Sequence, residues 1–477
     1  MAITTGSTSG WLGVYDNSKL TPRYYLTLFL VVFQELFEFY DFFLVSFLVA
    51  VLAPRWHLTY GHSSIMLLSG GVGAVVGGLF FGAWADRFGR RNLVALGGFV
   101  FSVGCGATAL MPDGAWILFS LCRFIVGFGM AGAVATQNAL IVEITPTRYR
   151  TYLSSLMLAP VALGTLLAAI IAAHLLPLIG WRGVAATGAF PILISVAIML
   201  WVPESPRWLM TQNRFADARR EAARQLSVPT EDVVVPTDAP VVIERAPLSE
   251  LLKDQKRFWW VVAIWMGAST ATYGVQLWGP TIVSQLLKIP PAKAAESFIM
   301  LAVANFAGRI AFSFLPVWLG RRKSGMLMCY VSTALLITAG YYNSVFIGGY
   351  SVFVILIVYG AFFYSGGFSN LTPYTAEAYP VRVSARALGL GQAANGIGKI
   401  LGPLGLALIA GSGDIVSPKA TAAAVQPAFL FLAFCTFVSA IAFTLFRVET
   451  HGRQVSQTAT IESDGNVVAT PRVTVRG

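Results

Sequence analysis

The chain has 477 residues, of which 56% are hydrophobic and 12% are charged, and its mean hydropathy is +0.69. An ordinary soluble domain carries about 25% charged residues, and a soluble protein this apolar would expose large hydrophobic patches. The composition therefore excludes a soluble enzyme, a disordered chain and, despite the net charge of +11, a nucleic-acid-binding protein. It predicts an integral membrane protein.

Twelve apolar segments are long enough to cross a bilayer core, which takes about 20 residues of helix. They cover residues 24–50, 63–85, 93–111, 116–140, 153–176, 183–202, 258–285, 295–319, 325–343, 350–373, 387–410 and 427–447. The first segment carries acidic residues and has no small-residue cleavage site, so we interpret it as a membrane span and not as a signal peptide. The four cysteines all lie in apolar segments and form no pair motif, so we expect neither a disulfide nor a metal site.

The Lys and Arg residues orient these segments in the membrane. With both termini in the cytoplasm, the outer side holds only Arg55, Arg182, Lys288, Lys293 and Lys419. The spans themselves hold Arg123, Arg309 and Lys399. The remaining 25 of the 33 Lys and Arg residues are then cytoplasmic. This bias predicts cytoplasmic termini, and the short loops are typical of a multi-pass protein of a bacterial inner membrane.

The chain divides at the polar segment between the sixth and seventh spans. We predict an N-terminal six-helix bundle (1–202) and a C-terminal six-helix bundle (258–449). The linker (203–257) is rich in proline and includes an amphipathic stretch from Arg214 to Leu226, which indicates a short cytoplasmic surface helix. Residues 450–477 lack helical periodicity and are predicted to be a disordered cytoplasmic tail.

Three short motifs recur in the same order in both halves, which indicates an internal repeat. They are EITPTR (143–148) and EAYPVR (377–382), GRR (89–91) and GRR (320–322), and ES (204–205) and ET (449–450). A parallel repeat of six helices is a known transporter architecture. The predicted fold is therefore an all-α membrane protein with twelve transmembrane helices, in two six-helix pseudo-repeat bundles around a central cavity.

Five segments resemble those of a known family. GAWADRFGRR (82–91) is similar to the signature loop of the major facilitator superfamily, and RFIVGFGMAG (123–132) resembles its helix-4 motif. PESPRWL (203–209) and VETHGR (448–453) are similar to the ends of the two halves in its sugar-porter-related branch. EFYD (38–41) resembles the D-G-x-D element of its aromatic acid:proton and metabolite:proton symporters, with phenylalanine in place of the glycine. The resemblance implies a proton-coupled transporter.

Sugar is a poor candidate for the substrate. Sugar porters carry a Gln-Gln pair and an Asn upstream of a proline in their seventh helix. Aligned on Pro280, this chain has Gly267, Ala268 and Tyr273 at those positions. The similarity to sugar porters therefore indicates ancestry and not sugar binding.

Charged residues inside the spans are costly and are normally paired and functional. In the N-terminal half, we interpret Glu38, Asp41 and Arg123 as the proton-coupling residues. Asp41 and Arg123 lie at a similar depth in their spans, which favours a carboxylate–guanidinium pair between them. In the C-terminal half, we interpret Lys399 and Arg309 as cations that attract an anionic substrate. Structural alternatives stay open: Arg123 bonded to neighbouring helices, the two acids as static partners of basic residues, and Arg309 bonded to a carbonyl or an acid. Glu35 extends the acidic series by one helical turn and is either a third titrating group or a residue with polar neighbours.

Neutral polar and aromatic residues complete the predicted cavity, because small-ligand pockets combine aromatic walls with a few oriented polar groups. The candidates for substrate binding are Tyr273, Gln276, Trp278, Gln392, Asn395, Gln137 and Asn138. For Trp278, an interfacial anchor is an equally good interpretation. The candidates for a cytoplasmic gate are Asp86, Arg90, Glu143, Arg148 and Glu377. The glycine-rich segment 70–78 is interpreted as a helix-packing surface.

The sequence thus predicts a proton-coupled symporter that imports a small organic anion, an aromatic carboxylate, by alternating access. Two alternatives remain, a proton-driven exporter of amphipathic compounds and an importer of a non-aromatic carboxylate. No nucleotide-binding loop, metal cluster or nucleophile motif is found, so we expect neither an enzyme nor a cofactor. The expected partners are the anion, protons and the lipid bilayer, with no nucleic acid, and the expected state is a monomer.

Overall fold

The computed structural model describes residues 18–146, 149, 153, 157, 159–233, 249–379, 381–446 and 448–450. The first half contains α1 (Pro22–Arg55), α2 (Tyr60–Phe88), α3 (Arg90–Ala109), α4 (Trp116–Ile144), α5 (Ala159–His174), α6 (Leu176–Thr187) and α7 (Pro191–Trp201). Between the halves lie α8 (Pro206–Thr211), α9 (Phe215–Leu226), a 3-10 turn (Thr230–Asp232) and α10 (Ser249–Lys253). The second half contains α11 (Gln255–Leu287), α12 (Pro291–Leu319), α13 (Arg321–Tyr341), α14 (Val352–Tyr364), α15 (Phe368–Glu377), α16 (Val381–Ala410) and α17 (Pro418–Leu445). A small hairpin, β1 (Phe346–Ile347) and β2 (Tyr350–Ser351), precedes α14 and pairs Phe346 with Ser351.

Within the described residues, ten helical segments are long and apolar enough to cross a membrane. Two of these segments consist of two helices each, α6 with α7 and α14 with α15. Two further helices also span the membrane: α5, which is apolar but shorter, and α11, which has 33 residues and carries more polar side chains. The described part of the chain therefore has twelve spans. The predicted fold class is confirmed.

The tenth span departs from the single helix predicted over 350–373, because it breaks between α14 and α15. Two glycines at the break pack closely on neighbouring helices. A Cβ atom at Gly366 would lie 2.5 Å from the carbonyl carbon of Gly308, and one at Gly367 would lie 2.0 Å from Sδ of Met328. The bend therefore needs residues without side chains.

Glycines also set the packing of α2 on α4. A Cβ atom at Gly73 would lie 2.0 Å from the carbonyl oxygen of Phe124, and one at Gly77 would lie 2.2 Å from that of Phe128. The two helix backbones can approach this closely only because no side chain stands between them. The prediction that segment 70–78 packs helices is confirmed.

The linker helix α9 contacts the N-terminal half. The hydroxyl of Thr21, the residue that caps α1, donates a hydrogen bond of 2.7 Å to the carbonyl oxygen of Gln225. The side chain of Gln225 donates one of 3.0 Å to the carbonyl oxygen of Ile144, at the end of α4. These bonds fix α9 to the side of the molecule on which residues 18–22 and 448–450 both lie, called the terminal side below. Most of the predicted tail, from residue 451 onward, lies outside the described residues.

The two halves meet mainly through three helix pairs, α1 with α11, α2 with α16 and α5 with α12, and α1 also touches α12. The hydrogen bonds between them, among described residues, all lie at the end opposite the terminal side, called the closed end. Tyr60 and Thr421 share a side-chain bond of 2.7 Å. Three main-chain bonds join segment 58–61 to segment 412–416: Tyr60 N–H to Asp414 O (2.9 Å), Gly61 N–H to Ser412 O (2.9 Å) and Val416 N–H to Leu58 O (3.1 Å). We call these four bonds the loop latch.

Towards the terminal side, α2 and α16 move apart. Near the middle of the helices, a Cβ atom at Gly71 would lie 3.4 Å from Cβ of Lys399, and one at Gly396 would lie 2.8 Å from Cγ2 of Val75. Further along the same faces, a Cβ atom at Gly78, at Gly82 or at Gly389 would meet nothing within 4 Å. The space between the halves is therefore closed at one end and opens to the terminal side.

Candidate functional site

A buried ion pair joins the first helix to the fourth. Arg123 Nη1 donates to Asp41 Oδ2 at 2.7 Å, and Arg123 Nη2 donates to the hydroxyl of Thr108 on α3 at 3.1 Å. The side chains of Arg123 and Asp41 are 3% and 0% exposed. The sequence predicted this carboxylate–guanidinium pair, and it ties three helices together within the N-terminal half.

Glu38 lies one helical turn before Asp41 and has different partners. Its Oε1 accepts hydrogen bonds from Gln34 Nε2 at 2.9 Å and from Gln137 Nε2 at 3.2 Å. All three side chains are fully buried. Sequence reasoning named Gln137 but missed Gln34. A polar residue in an apolar span, four residues before an acid, was the available signal.

Lys399 lies where the two halves meet. Its Nζ is 5.1 Å from the ring centre of Phe42 on α1 and 5.1 Å from that of Tyr273 on α11. The Tyr273 ring also stacks on Phe43, at 6.2 Å and an interplanar angle of 6°. Within the part of the chain that the structure describes, Lys399 forms no ion pair. The two phenylalanines were missed because single aromatic residues in an apolar span give no distinctive signal.

The other polar candidates of the C-terminal half form short chains of hydrogen bonds. Arg309 Nε donates to Oδ1 of Asn305, one turn earlier on α12, at 3.2 Å. Gln276 Nε2 donates to the hydroxyl of Ser365 at 3.1 Å. Asn395 Nδ2 donates to Gln392 Oε1 at 3.2 Å, and its own Oδ1 accepts a bond of 2.7 Å from Ser269. Arg309 thus has an amide partner, neither the carbonyl nor the acid considered from sequence.

Two predicted binding residues do not join this group. Trp278 is 1% exposed, donates from Nε1 to the carbonyl oxygen of Pro403 at 3.1 Å, and packs on Tyr60 at the closed end. It is therefore neither beside Tyr273 nor an interfacial anchor. Asn138 is exposed and donates to the carbonyl oxygen of Val134 on its own helix, whereas its neighbour Gln137 is buried against Glu38. Adjacent residues of a helix point about 100° apart, so the two amides have different surroundings.

The predicted gate residues form two similar clusters on the terminal side, one in each half. In the first, Arg90 Nε contacts Glu143 Oε1 at 3.2 Å. In the second, Arg321 contacts Glu377 through both Nε and Nη2, at 3.1 and 2.9 Å. Sequence reasoning missed Arg321 as a gate residue, although the repeated GRR motif gives it the position that Arg90 has in the first half. The side chain of Asp86 and all of Arg148 lie outside the described residues.

A glutamate closes each of these clusters by binding main-chain N–H groups. Glu204 Oε1 accepts from the N–H groups of Arg90 and Arg91, both at 3.0 Å. Glu449 accepts from those of Arg321 and Arg322, at 2.8 and 3.2 Å. Burial raises the pKa of Glu204 above its usual range, and these N–H bonds oppose that shift. The two clusters therefore repeat the same construction in the two halves.

Metal and thiol chemistry find no support in the described residues. No group of three or more His, Cys, Asp or Glu side chains there could hold a metal ion. All four cysteines are free.

Comparison with known proteins gives a consistent result. The sequence profile described as sugar (and other) transporter matches residues 27–461. The niacin transporter NiaP of Acinetobacter baylyi is 27% identical over 399 residues, 82% of this chain and 88% of that protein. The cis,cis-muconate transport protein of that organism is 26% identical, over 72% of this chain and 77% of its own length. Its benzoate transport protein is 25% identical, over 82% and 84%.

Two solved structures show the same fold. A bacterial homolog of the human lysosomal transporter Spinster superposes with a TM-score of 0.70 at 16% identity, covering 90% of this chain and 97% of that one. The xylose transporter XylE from E. coli superposes with a TM-score of 0.67 at 18% identity, covering 91% and 99%. The chain belongs to the sugar (and other) transporter family of the major facilitator superfamily. It is a multi-pass membrane transporter and not an enzyme.

Proposed function

We propose that the protein is a proton-coupled symporter that imports a small organic anion, an aromatic carboxylate, by alternating access. One observation carries this proposal: Lys399, a cation with no ion pair among the described residues, lies between the rings of Phe42 and Tyr273 where the halves meet. A cation beside two aromatic faces suits a ligand with a carboxylate and a flat ring. Niacin and benzoate, named for two of the relatives, are such compounds.

The C-terminal half supplies most of the proposed substrate contacts. Lys399 binds the carboxylate, and Arg309 adds a second positive charge. Tyr273 stacks on the ring. Their polar surroundings are completed by Gln276, Gln392, Asn395 and, from the N-terminal half, Gln137. The muconate transporter among the relatives supports a second candidate, a non-aromatic carboxylate, for which the two cations suffice without the stacking.

The N-terminal half supplies the proposed proton coupling. Glu38 or Asp41 takes up the proton, and Arg123 competes with that proton for Asp41. A nearby arginine favours the charged carboxylate, whereas burial favours the neutral one. Substrate import follows if the protonated, loaded carrier changes its open side more readily than the deprotonated one.

The charged clusters of the terminal side are the proposed gate. Arg90, Glu143 and Glu377 there bind within their own halves, as suits a cavity open to that side. When the carrier opens at the other end, these helix ends approach each other, and we expect Asp86 and Arg148 to join the contacts. The terminal side is cytoplasmic in this proposal, in a bacterial inner membrane.

The test is uptake of labelled benzoate, nicotinate and 4-hydroxybenzoate into proteoliposomes that hold the full chain, with and without an inward proton gradient. We expect accumulation only with the gradient. Transport that ignores the gradient would contradict proton coupling. Transport of muconate but of none of the aromatic acids would favour the second candidate, and outward pumping of amphipathic compounds would replace both with an exporter.

A further inference from the structure

Glu38 lies in a polar cage built from four helices of the N-terminal half. Gln34 and Glu35 come from α1, Gln137 comes from α4, and the walls include Gly98 on α3 and Ser195 on α7. Gln34 Nε2 binds both Glu38 Oε1 (2.9 Å) and the carbonyl oxygen of Val94 (3.1 Å). We call Gln34, Glu35, Glu38 and Gln137, with these two wall residues, the Glu38 cage.

The cage holds oxygen atoms that have nothing to bind. Glu35 Oε2, Glu38 Oε2 and Gln137 Oε1 are buried and have no hydrogen-bond partner. The three side chains are 2%, 0% and 0% exposed. Buried polar atoms are nearly always satisfied in native structures, so these three unpartnered oxygens indicate that the cage lacks a hydrogen-bond donor.

Among the residues that the structure describes, no basic side chain supplies that partner. Among the described residues, neither Glu35 nor Glu38 forms an ion pair. The ionisable groups near the middle of α1 and of the helices packed on it have other neighbours: Asp41 and Cys105 with Arg123, Tyr40 with Thr187, Lys399 with Tyr273, and Arg309 with Asn305. The ionisable side chains that remain on these helices stand near the helix ends. The two glutamates are thus left with each other and with two neutral amides.

We propose that Glu35 and Glu38 form a carboxyl pair that holds the coupling proton between them, and that Gln34 and Gln137 position Glu38 to receive it. This rests on the proton-coupled symport proposed above, to which it adds one acid and two positioning amides. Two buried carboxylates one turn apart cannot both stay ionised without a counter-charge. Asp41 already has one in Arg123. The proton binds a carboxylate oxygen of the pair in the conformation that is open at the opposite end, called the closed end here. It leaves for water when the cavity is open to the terminal side.

Gly98 offers a way to disturb the cage without changing a carboxyl group. A Cβ atom there would lie 2.4 Å from Ser195 Oγ and 2.5 Å from Gln34 Nε2. Gly98→Ala therefore pushes Gln34 away from Glu38. Gly106, on the same helix, is a matched control, because a Cβ atom there meets only the methyl group of Ala189, at 3.7 Å.

The experiment separates substrate exchange from proton-driven accumulation, with labelled benzoate and nicotinate as probes. With an inward gradient of one pH unit, one coupled proton supports up to about tenfold accumulation. We expect Glu35→Gln and Glu38→Gln to retain counterflow but to lose this accumulation, and Gly98→Ala to lower it and shift its pH dependence, unlike Gly106→Ala. Accumulation by both Gln variants at the wild-type level would overturn the proposal, and so would accumulation driven by a sodium gradient alone.

A second measurement does not depend on the substrate. Infrared pH titration of the purified full chain should show the carbonyl band of a protonated buried carboxyl group, lost in Glu38→Gln and weakened or shifted in Glu35→Gln. Absence of this band in the wild type would overturn the carboxyl pair. If the band is present but neither probe exchanges, the proposed substrate fails and the pair stands.

Discussion

On α1, Glu38 and Asp41 lie one turn apart and have different binding partners. Lys399, across the interface between the halves, binds neither of these acids. Asp41 has a full counter-charge, Glu38 has two amides, and Lys399 has only aromatic faces. Of the three, Lys399 is the group whose charge is least compensated by the protein. It is therefore the group that gains most from an anion delivered between the halves.

Replacing this lysine tests the anion site. Lys399→Gln should lower the uptake of labelled benzoate by about tenfold or more, since a hydrogen bond to a charged group is worth about 1.5–3 kcal/mol. Lys419→Gln, which removes an exposed lysine at the start of α17, is the control and should transport normally. Undiminished uptake by Lys399→Gln would remove Lys399 from the substrate site.

The Asp41–Arg123 pair gives a prediction about stability. Asp41→Asn leaves an unpaired guanidinium in the protein interior, and breaking a buried pair in this way costs about 3–5 kcal/mol. The double variant Asp41→Asn, Arg123→Gln should lose less than Asp41→Asn alone, because no charge is stranded. Thermal unfolding in detergent, followed by tryptophan fluorescence, measures both. If the double variant is less stable than the single one, the two side chains stabilise the fold by more than the compensation of each other's charge.

For individual residues, the sequence predicts which side chains carry charge but not which partners they bind. The Asp41–Arg123 pair was predictable because both residues have similar depth in their spans. The partners of Glu38 were not, because the rotation of each helix about its axis decides which side chains meet. The location of Trp278 was not predictable for the same reason, because in an apolar span the sequence does not show which face of the helix points to the cavity.

Among the elements, α2 shows how glycine spacing controls contact. The face with Gly73 and Gly77 touches the backbone of α4, whereas the face with Gly71, Gly78 and Gly82 lies towards α16. The contact of α2 with α4 persists throughout transport, because both helices belong to the same half. The other lies between the halves and has to separate during transport.

Two alanine substitutions on α2 should therefore differ sharply. Gly73→Ala places a Cβ atom 2.0 Å from a main-chain oxygen of α4, and overpacking of this kind costs about 1–3 kcal/mol or more. Gly78→Ala meets nothing within 4 Å. We expect Gly73→Ala to lower the yield of monodisperse protein in size-exclusion chromatography, and Gly78→Ala to behave as the wild type. Equal yields would mean that α2 and α4 can readily move apart.

Element boundaries follow the sequence where a local signal exists. Thr21 caps α1 and its hydroxyl accepts the N–H of Tyr24, so the helix begins before its apolar segment. The break between α14 and α15 was not predicted, because Gly366 and Gly367 read as tolerated glycines inside an apolar run. Only their contacts with other helices show that the chain bends there.

For the whole molecule, the closed end is the feature that the sequence could not foretell. One sequence must support both an open and a closed arrangement at each end, and these differ by only a few kcal/mol. Composition and motifs describe what the two arrangements share. Which end is closed depends on contacts such as the loop latch, formed between segments far apart in the chain.

Weakening the latch should shift the molecule towards opening at that end. A Cβ atom at Gly61 would lie 2.8 Å from the carbonyl oxygen of Ser412, whereas one at Gly413 would meet nothing within 4 Å. In Gly61→Ala, the loss of one or two hydrogen bonds, each worth about 0.5–1.5 kcal/mol, should populate longer distances between spin labels at Leu110 and Lys419. Gly413→Ala is the control. Identical distance distributions in the two variants would show that the latch does not hold this end closed.

Three of the four latch bonds join main-chain atoms, so the side chains of segment 412–416 are largely free to vary. The number of residues is not free, because one added or removed residue would move every N–H group away from its carbonyl partner. Closure here is therefore a matter of loop length. A library of variants across this segment should tolerate most replacements, while insertions and deletions of a single residue abolish transport.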